Sequence, residues 1–218
     1  MAVSGCVLFL FVVGHLLGNL QVFLGPDAIN RYGYFLQSNV ELLWPVRIFL
    51  ILMVGLHIWS AIKLSLENNA ARPVAYAQYQ PVGSTHASRT MLMSGVIILI
   101  FVIYHLLHYT VMLQYINLTG QNFAAFVDSK NRHDIFKMMV VGFSNPWVSG
   151  FYIIGMALLC LHLSHGVSSM FQSLGLKNKS YGPFLDQFAR VVAVLFFFGY
   201  ASIPAAILLL GYGKEALK

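Results

Sequence analysis

The sequence predicts an all-α integral membrane protein, a bundle of five transmembrane helices. Three observations carry that reading: a composition too apolar for a water-soluble globule, five apolar runs of membrane length, and short polar segments between them. Of 218 residues, 58% are hydrophobic and 9% charged, and the mean hydropathy is +0.73. Soluble domains carry about 25% charged residues, so this chain lacks the polar surface to face water all round. The same reasoning predicts one membrane domain over 1–218, with no repeat and no second unit.

A membrane span needs about 20 apolar residues at 1.5 Å of rise each. Five segments qualify, approximately 2–24, 43–66, 91–115, 147–171 and 189–211. The first is apolar from its start, with no basic leader and no small-residue cleavage site, so it reads as a retained span. The fourth ends in HLSHGVSSMFQSLG, with Gly175 as its stop and Pro183 shortly beyond. The first four are each interrupted by histidine and the fifth has none. Between them, 25–41 reads as a turn followed by an interfacial amphipathic stretch. Segment 67–89, with two prolines, reads as an ordered loop or strand-like crossing, and 117–146 is long enough for a short surface helix capping the bundle.

Cys6 and Cys160 lie inside apolar runs and form no CxxC or Cys/His cluster, so they read as packing residues rather than a disulfide, zinc or iron–sulfur site. No GxGxxG fingerprint points to a nucleotide, and nothing points to nucleic acid. With five spans the termini lie on opposite faces. The face holding the start of span one, here face N, collects six Lys and Arg, and the other face seven. That balance assigns no orientation by charge.

The histidines are more telling. His15, His57, His105, His108, His162 and His165 all fall at membrane depth, whereas His86 and His133 fall in loops where solvation is expected. An imidazole in hydrocarbon is costly unless its N–H and lone pair find partners. Counted from face N at 1.5 Å per residue, His15 and His105 lie about 20 Å deep, and His57 and His165 about 15 Å. Facing imidazoles at matched depth are what a six-coordinate haem requires, and two pairs predict two haems stacked across the bilayer. A lone transmembrane histidine bonded to a carbonyl or hydroxyl is the competing reading; four helices each supplying one weigh against it. Gly14 and Gly18 flank His15 at GxxxG spacing, Gly55 precedes His57 by two, and Gly166 follows His165. Spacing alone leaves open which of His105 and His108, and which of His162 and His165, is the ligand, because residues three apart share a helix face.

The segments GHLLGNLQVFLGP (14–26), LHIWSAIKLSLENNAARPVAY (56–76), SRTMLMSG (88–95), VIYHLLH (102–108) and HLSHGVSSMFQSLG (162–175) together resemble the dihaem cytochrome b membrane anchor of succinate dehydrogenase and fumarate reductase. The resemblance implies two haem b, with axial pairs His15–His105 and His57–His165, the latter taken as the histidine followed by glycine. Gly18, Arg89, His108 and His162 are then expected in the haem pocket or at its propionates. The implied partners are an iron–sulfur subunit, a FAD flavoprotein, membrane lipid, and a quinone (menaquinone or ubiquinone) as substrate. The implied location is the bacterial inner membrane, with face N and the N-terminus cytoplasmic. Asn19, Gln21, Arg31 and Glu41 are candidates to line a quinone site, which the sequence does not otherwise identify. Two other functions fit the histidines: a dihaem subunit of another membrane dehydrogenase or cytochrome reductase, and a haem-free transporter relaying protons.

Overall fold

The computed structural model describes residues 1–71 and 86–217, less the side chains at 86 and 87. It is 80% helical, with no strand among the described residues. In chain order the helices are α1 (Ala2–Leu20), α2 (Pro26–Ser38), α3 (Val40–Ala70), α4 (His86–Arg89), α5 (Met91–Tyr109), α6 (Ile135–Phe143), α7 (Pro146–Ser173) and α8 (Gly182–Leu210). Five of them are long and apolar enough to cross a membrane: α1 with its 3₁₀ extension to Leu24, α3, α5, α7 and α8. The chain is therefore a multi-pass membrane protein.

Local chemistry sets most of the boundaries. Pro26, Pro146 and Pro183 stand in the first turns of α2, α7 and α8, where a missing N–H leaves no helical bond unmade. Asn145 caps α7, its side-chain oxygen accepting from the Trp147 and Val148 N–H groups at 2.9 and 3.3 Å. Gly211 closes α8 at φ +69°, a left-handed turn that glycine adopts without strain. The fifth span begins earlier than its apolar run suggests, because Pro183 starts the helix.

Two stretches differ from the sequence expectation. The third span ends at Tyr109, not near 115: Val111 N–H bonds to Leu106 O at 2.8 Å, Leu113 N–H to Leu107 O at 3.0 Å, and Met112 turns left-handed at φ 59°. The short helix in 117–146 is α6, and it is not on the surface. All of Met138 to Phe143 is buried, because Phe123, Met112, Tyr109 and Leu217 pack over it. Of segment 67–89, Glu67–Ala70 continues α3 and His86–Arg89 forms α4. Residues 72–85, with Arg72 and the second half of ENNAARPVAY (67–76), lie outside the described residues, as do the His86 side chain and Lys218.

Helix α7 is the centre of the bundle. It packs along α8 and also against α1, α5 and α6. Small residues permit that approach, as expected where lipid supplies no hydrophobic drive between helices. Ala189 and Ala193 on α8 are buried, and a Cβ on Gly155 of α7 would lie 2.4 Å from the Phe101 ring of α5. Helix α3 packs against α1 and α2 and buries no side chain. Cys160 is buried and Cys6 half-buried, both as free thiols.

The end away from face N is closed by a polar clasp on an apolar cap. Asn30 of α2, 1% exposed, donates to Asp134 Oδ1 at 3.0 Å and Asp128 Oδ2 at 3.4 Å, and accepts from Phe136 N–H at 2.9 Å. Asp134 caps α6 by accepting from Lys137 N–H at 2.9 Å. Arg132 pairs with Asp128 at 2.6 Å and with Asp27 at 2.8 Å, and Lys130 pairs with Asp27 at 2.7 Å. The hydrogen bonds of Lys130 and Arg132 hold Asp27 down at about 2. Burial pushes Asp128 up, but hydrogen bonds from the Arg132 side chain and backbone, the Lys130 N–H and Asn30 outweigh it and hold it at about 2.

Asn30→Ala strips the Phe136 N–H of its acceptor and takes one donor from Asp134, which keeps the Lys137 N–H. It should destabilise the protein by about 1–3 kcal/mol, read as a lower melting temperature in mild detergent. The clasp should also be acid-sensitive. Both carboxyls titrate below their ordinary 3.8, so their contribution is complete above that pH and is lost as pH falls toward about 2. Amide exchange at 127–134 should accelerate over that window, and a flat profile would contradict it.

Candidate functional site

Histidines from four helices meet at two levels. At the deeper level, His15 of α1 and His105 of α5 face each other edge to plane, ring centroids 5.8 Å apart. His105 stacks on Phe101 at 6.2 Å, and His15 lies between Phe11 and Tyr200 at 5.3 and 6.3 Å. At the level nearer face N, His57 of α3 meets His162 of α7 with centroids 6.5 Å apart. The levels are 11 residues apart on α1 (Ser4, which touches His57, to His15), hence roughly 16 Å at 1.5 Å per residue.

The ring facing His57 is therefore that of His162, where the resemblance implied His165. Three residues along a helix turn a side chain by about 60° relative to its predecessor's face, enough to aim one imidazole at α3 and the next elsewhere. His165 Nε2 is taken by Ser169 Oγ, 3.0 Å away and one turn on in the same helix. Close by, Lys177 pairs with Asp186 at 2.6 Å, and Ser168 bonds the same carboxylate.

Hydrogen bonds fix the tautomers of the proximal pair. A hydroxyl has one proton to give. Ser4 Oγ gives its own to Met1 O at 2.9 Å, so it accepts from His57 Nδ1 at 3.4 Å. Ser94 Oγ gives its own to Met91 O at 3.1 Å, so it accepts from His162 Nδ1 at 3.1 Å. Both imidazoles then carry their proton on Nδ1 and keep the Nε2 lone pair free. That is the form in which neutral histidine ligates a metal. At the deeper level Tyr152 Oη of α7 touches His105 Nδ1 at 3.3 Å and His108 Nδ1 at 3.0 Å.

The other candidates have other surroundings. Gly18 is filled by helix packing: a Cβ there would lie 2.7 Å from the Tyr32 ring, so its gap serves the contact of α2 with α1. His108 is fully buried between Tyr109, Phe123 and Tyr152, and its Nε2 has no partner. Arg89 is exposed at the end of α4, which packs on α7. Asn19 turns its amide back to His15 O at 2.7 Å, and Arg31 and Glu41 are exposed. His133, expected in solvent, is half-buried in the cap with Nε2 unpartnered, and burial lowers its pKa.

The ring separations fit a metal ion that the two imidazoles of each pair would hold between them. Two metal–nitrogen bonds of about 2 Å plus about 1 Å from each nitrogen to its ring centre give a centroid separation of about 6 Å, against 5.8 and 6.5 Å here. A Cβ on Gly14, Gly55 or Gly166 would meet nothing within 4 Å, and Gly14 and Gly55 are exposed, so these glycines open outward and are not packed against a neighbouring helix. Sequence reasoning missed Ser4, Ser94 and Tyr152. The serines left a signal, since each precedes a histidine of its own helix by 11 residues, close to three turns. Comparison of the chain with family models, curated proteins and solved structures returns no match.

Proposed function

We propose that this chain is a dihaem cytochrome b membrane anchor of the kind that serves succinate dehydrogenase and fumarate reductase. In this reading it passes electrons between a partner iron–sulfur subunit and a membrane quinone. The observation that carries the proposal is the two facing histidine pairs, His15–His105 and His57–His162, from four membrane-spanning helices at two depths. His162 is preferred to His165 because its ring meets His57 and its Nδ1 is the nitrogen that meets a serine, whereas in His165 it is Nε2.

When bound, each haem supplies one-electron chemistry between two charge states of iron. The chain's own part is to hold and insulate. His57 and His162 present lone pairs near face N, and His15 and His105 do so deeper in the bundle. Phe11, Phe101 and Tyr200 exclude water beside the deeper pair. Dicarboxylate chemistry belongs, in this proposal, to a FAD flavoprotein joined through the iron–sulfur subunit on face N, taken as the cytoplasmic side of a bacterial inner membrane. Quinone exchange belongs near the His15–His105 end.

A pyridine haemochrome assay on the purified chain should give two haem b per chain. A reproducible value near one would remove one pair. No haem, with no Soret or α band in membranes, would overturn the reading in favour of a haem-free proton-coupled transporter.

The span-four doublet gives a sharper test. His162→Ala should lose the haem between α3 and α7 or turn it high-spin. His165→Ala removes its hydrogen bond with Ser169 of the same helix, about 0.5–2 kcal/mol in a membrane interior, and should leave both haems low-spin in low-temperature EPR. The reverse result would return the ligand role to His165.

A further inference from the structure

Three of the four paired imidazoles present Nδ1 to a hydroxyl from another helix. His57 meets Ser4 of α1, His162 meets Ser94 of α5, and His105 meets Tyr152 of α7. We propose that Ser4, Ser94 and Tyr152 are positioning residues, each of which fixes the tautomer of one axial histidine and thereby lowers the reduction potential of the haem at its own level. The proposal rests on the dihaem reading above and goes beyond it, since it assigns roles to residues that touch no metal.

The direction of each bond follows from proton counting. Ser4 and Ser94 spend their protons on Met1 O and Met91 O, as is common for serine in a helix, and are left as acceptors. Tyr152 has two imidazole neighbours and one proton. If it accepts from His105 Nδ1, its own proton goes to His108 Nδ1 at 3.0 Å. His108 is then the Nε2–H tautomer, and the buried Nε2 without a partner is a donor. His108 thus acts through Tyr152, and Tyr152 through His105. The opposite direction would put the proton of His105 on Nε2 and remove the lone pair that a metal would take.

An imidazole that donates its remote N–H is a more electron-rich ligand. Electron-rich ligation favours ferric over ferrous iron. Removing the acceptor should therefore raise the potential, and only at the level where the hydroxyl lies. No proton is transferred and no further reactant is needed. The bond polarises the ligand and holds its ring plane.

The test is a potentiometric titration of the full-length, haem-loaded chain in detergent, with the two haems told apart by the signal lost in His162→Ala. Ser94→Ala should raise the potential of the His57–His162 haem by about 59 mV, a tenfold change in ferric preference for one electron, and leave the other haem unmoved. Tyr152→Phe should do the converse. Ser94→Thr keeps a hydroxyl and should restore the original value. Pulsed EPR of the remote imidazole nitrogen should report a weakened N–H bond in the same haem of each variant. Unmoved potentials in a chain carrying two normal haems would overturn this inference alone, as would equal shifts at both levels or no rescue by threonine. If Tyr152→Phe does not assemble, the Ser94 variants decide the matter. Absence of haem from the unmodified chain would instead overturn the functional reading.

Discussion

A neutral imidazole brings one N–H into the membrane, where no water is at hand to satisfy it. The proximal pair satisfies it with serines whose own protons are already committed to backbone carbonyls. That commitment matters more than the bond length. A free hydroxyl rotor would serve either tautomer, whereas a committed one accepts only, and so keeps the proton of both imidazoles on Nδ1. His165 shows the contrast. Its Nε2 is engaged by Ser169 of the same helix, so the nitrogen that could reach a ligand is occupied locally.

The packing is unequal for a related reason. Helices gain little from leaving lipid, so association relies on close fit and on polar contacts. Helix α7 achieves fit, with small residues against α8 and a glycine under Phe101. Helix α3 buries no side chain over its 31 residues, and it packs against α1 and α2. Its reach toward α7 is made through the His57 ring. A flat group beside that ring would add the apolar contact that α3 otherwise lacks. At the other end the Asn30 clasp fixes α2 to α6 and leaves the deeper histidines under a rigid cap.

Much of this was legible beforehand, and the remainder was not for identifiable reasons. Five spans follow from hydropathy because a bilayer sets the length of an apolar run. The matched depths of His15 and His105 follow from rise per residue alone. Side-chain direction within the HLSH doublet does not, because a 60° difference is smaller than the uncertainty in helix phase. Gly18 looked like room for a cofactor, but a glycine gap is filled by whichever neighbour arrives, here Tyr32. The burial of α6 was hidden because its cover comes from distant segments, Phe123 and Leu217 among them. The third span ran short because the chain leaves the helix at Tyr109 and turns at Met112, with no glycine or proline there to mark the place.

The hydroxyls add one relation that neither the spans nor the histidines reveal singly. Each of three helices contributes to both levels. Helix α1 supplies Ser4 to the proximal level and His15 to the deeper one, and α5 supplies Ser94 and His105 in the same order. Helix α7 reverses the roles, giving His162 to the proximal level and Tyr152 to the deeper one. The 11-residue offset on α1 and α5 keeps donor and acceptor on one face. A slip of one residue would move a helix by about 1.5 Å and turn it by about 100°, removing a hydroxyl at one level and an imidazole at the other together. Register is thus fixed twice per helix. This bundle has little hydrophobic drive to choose a register, and its polar contacts choose the one in which the imidazoles meet.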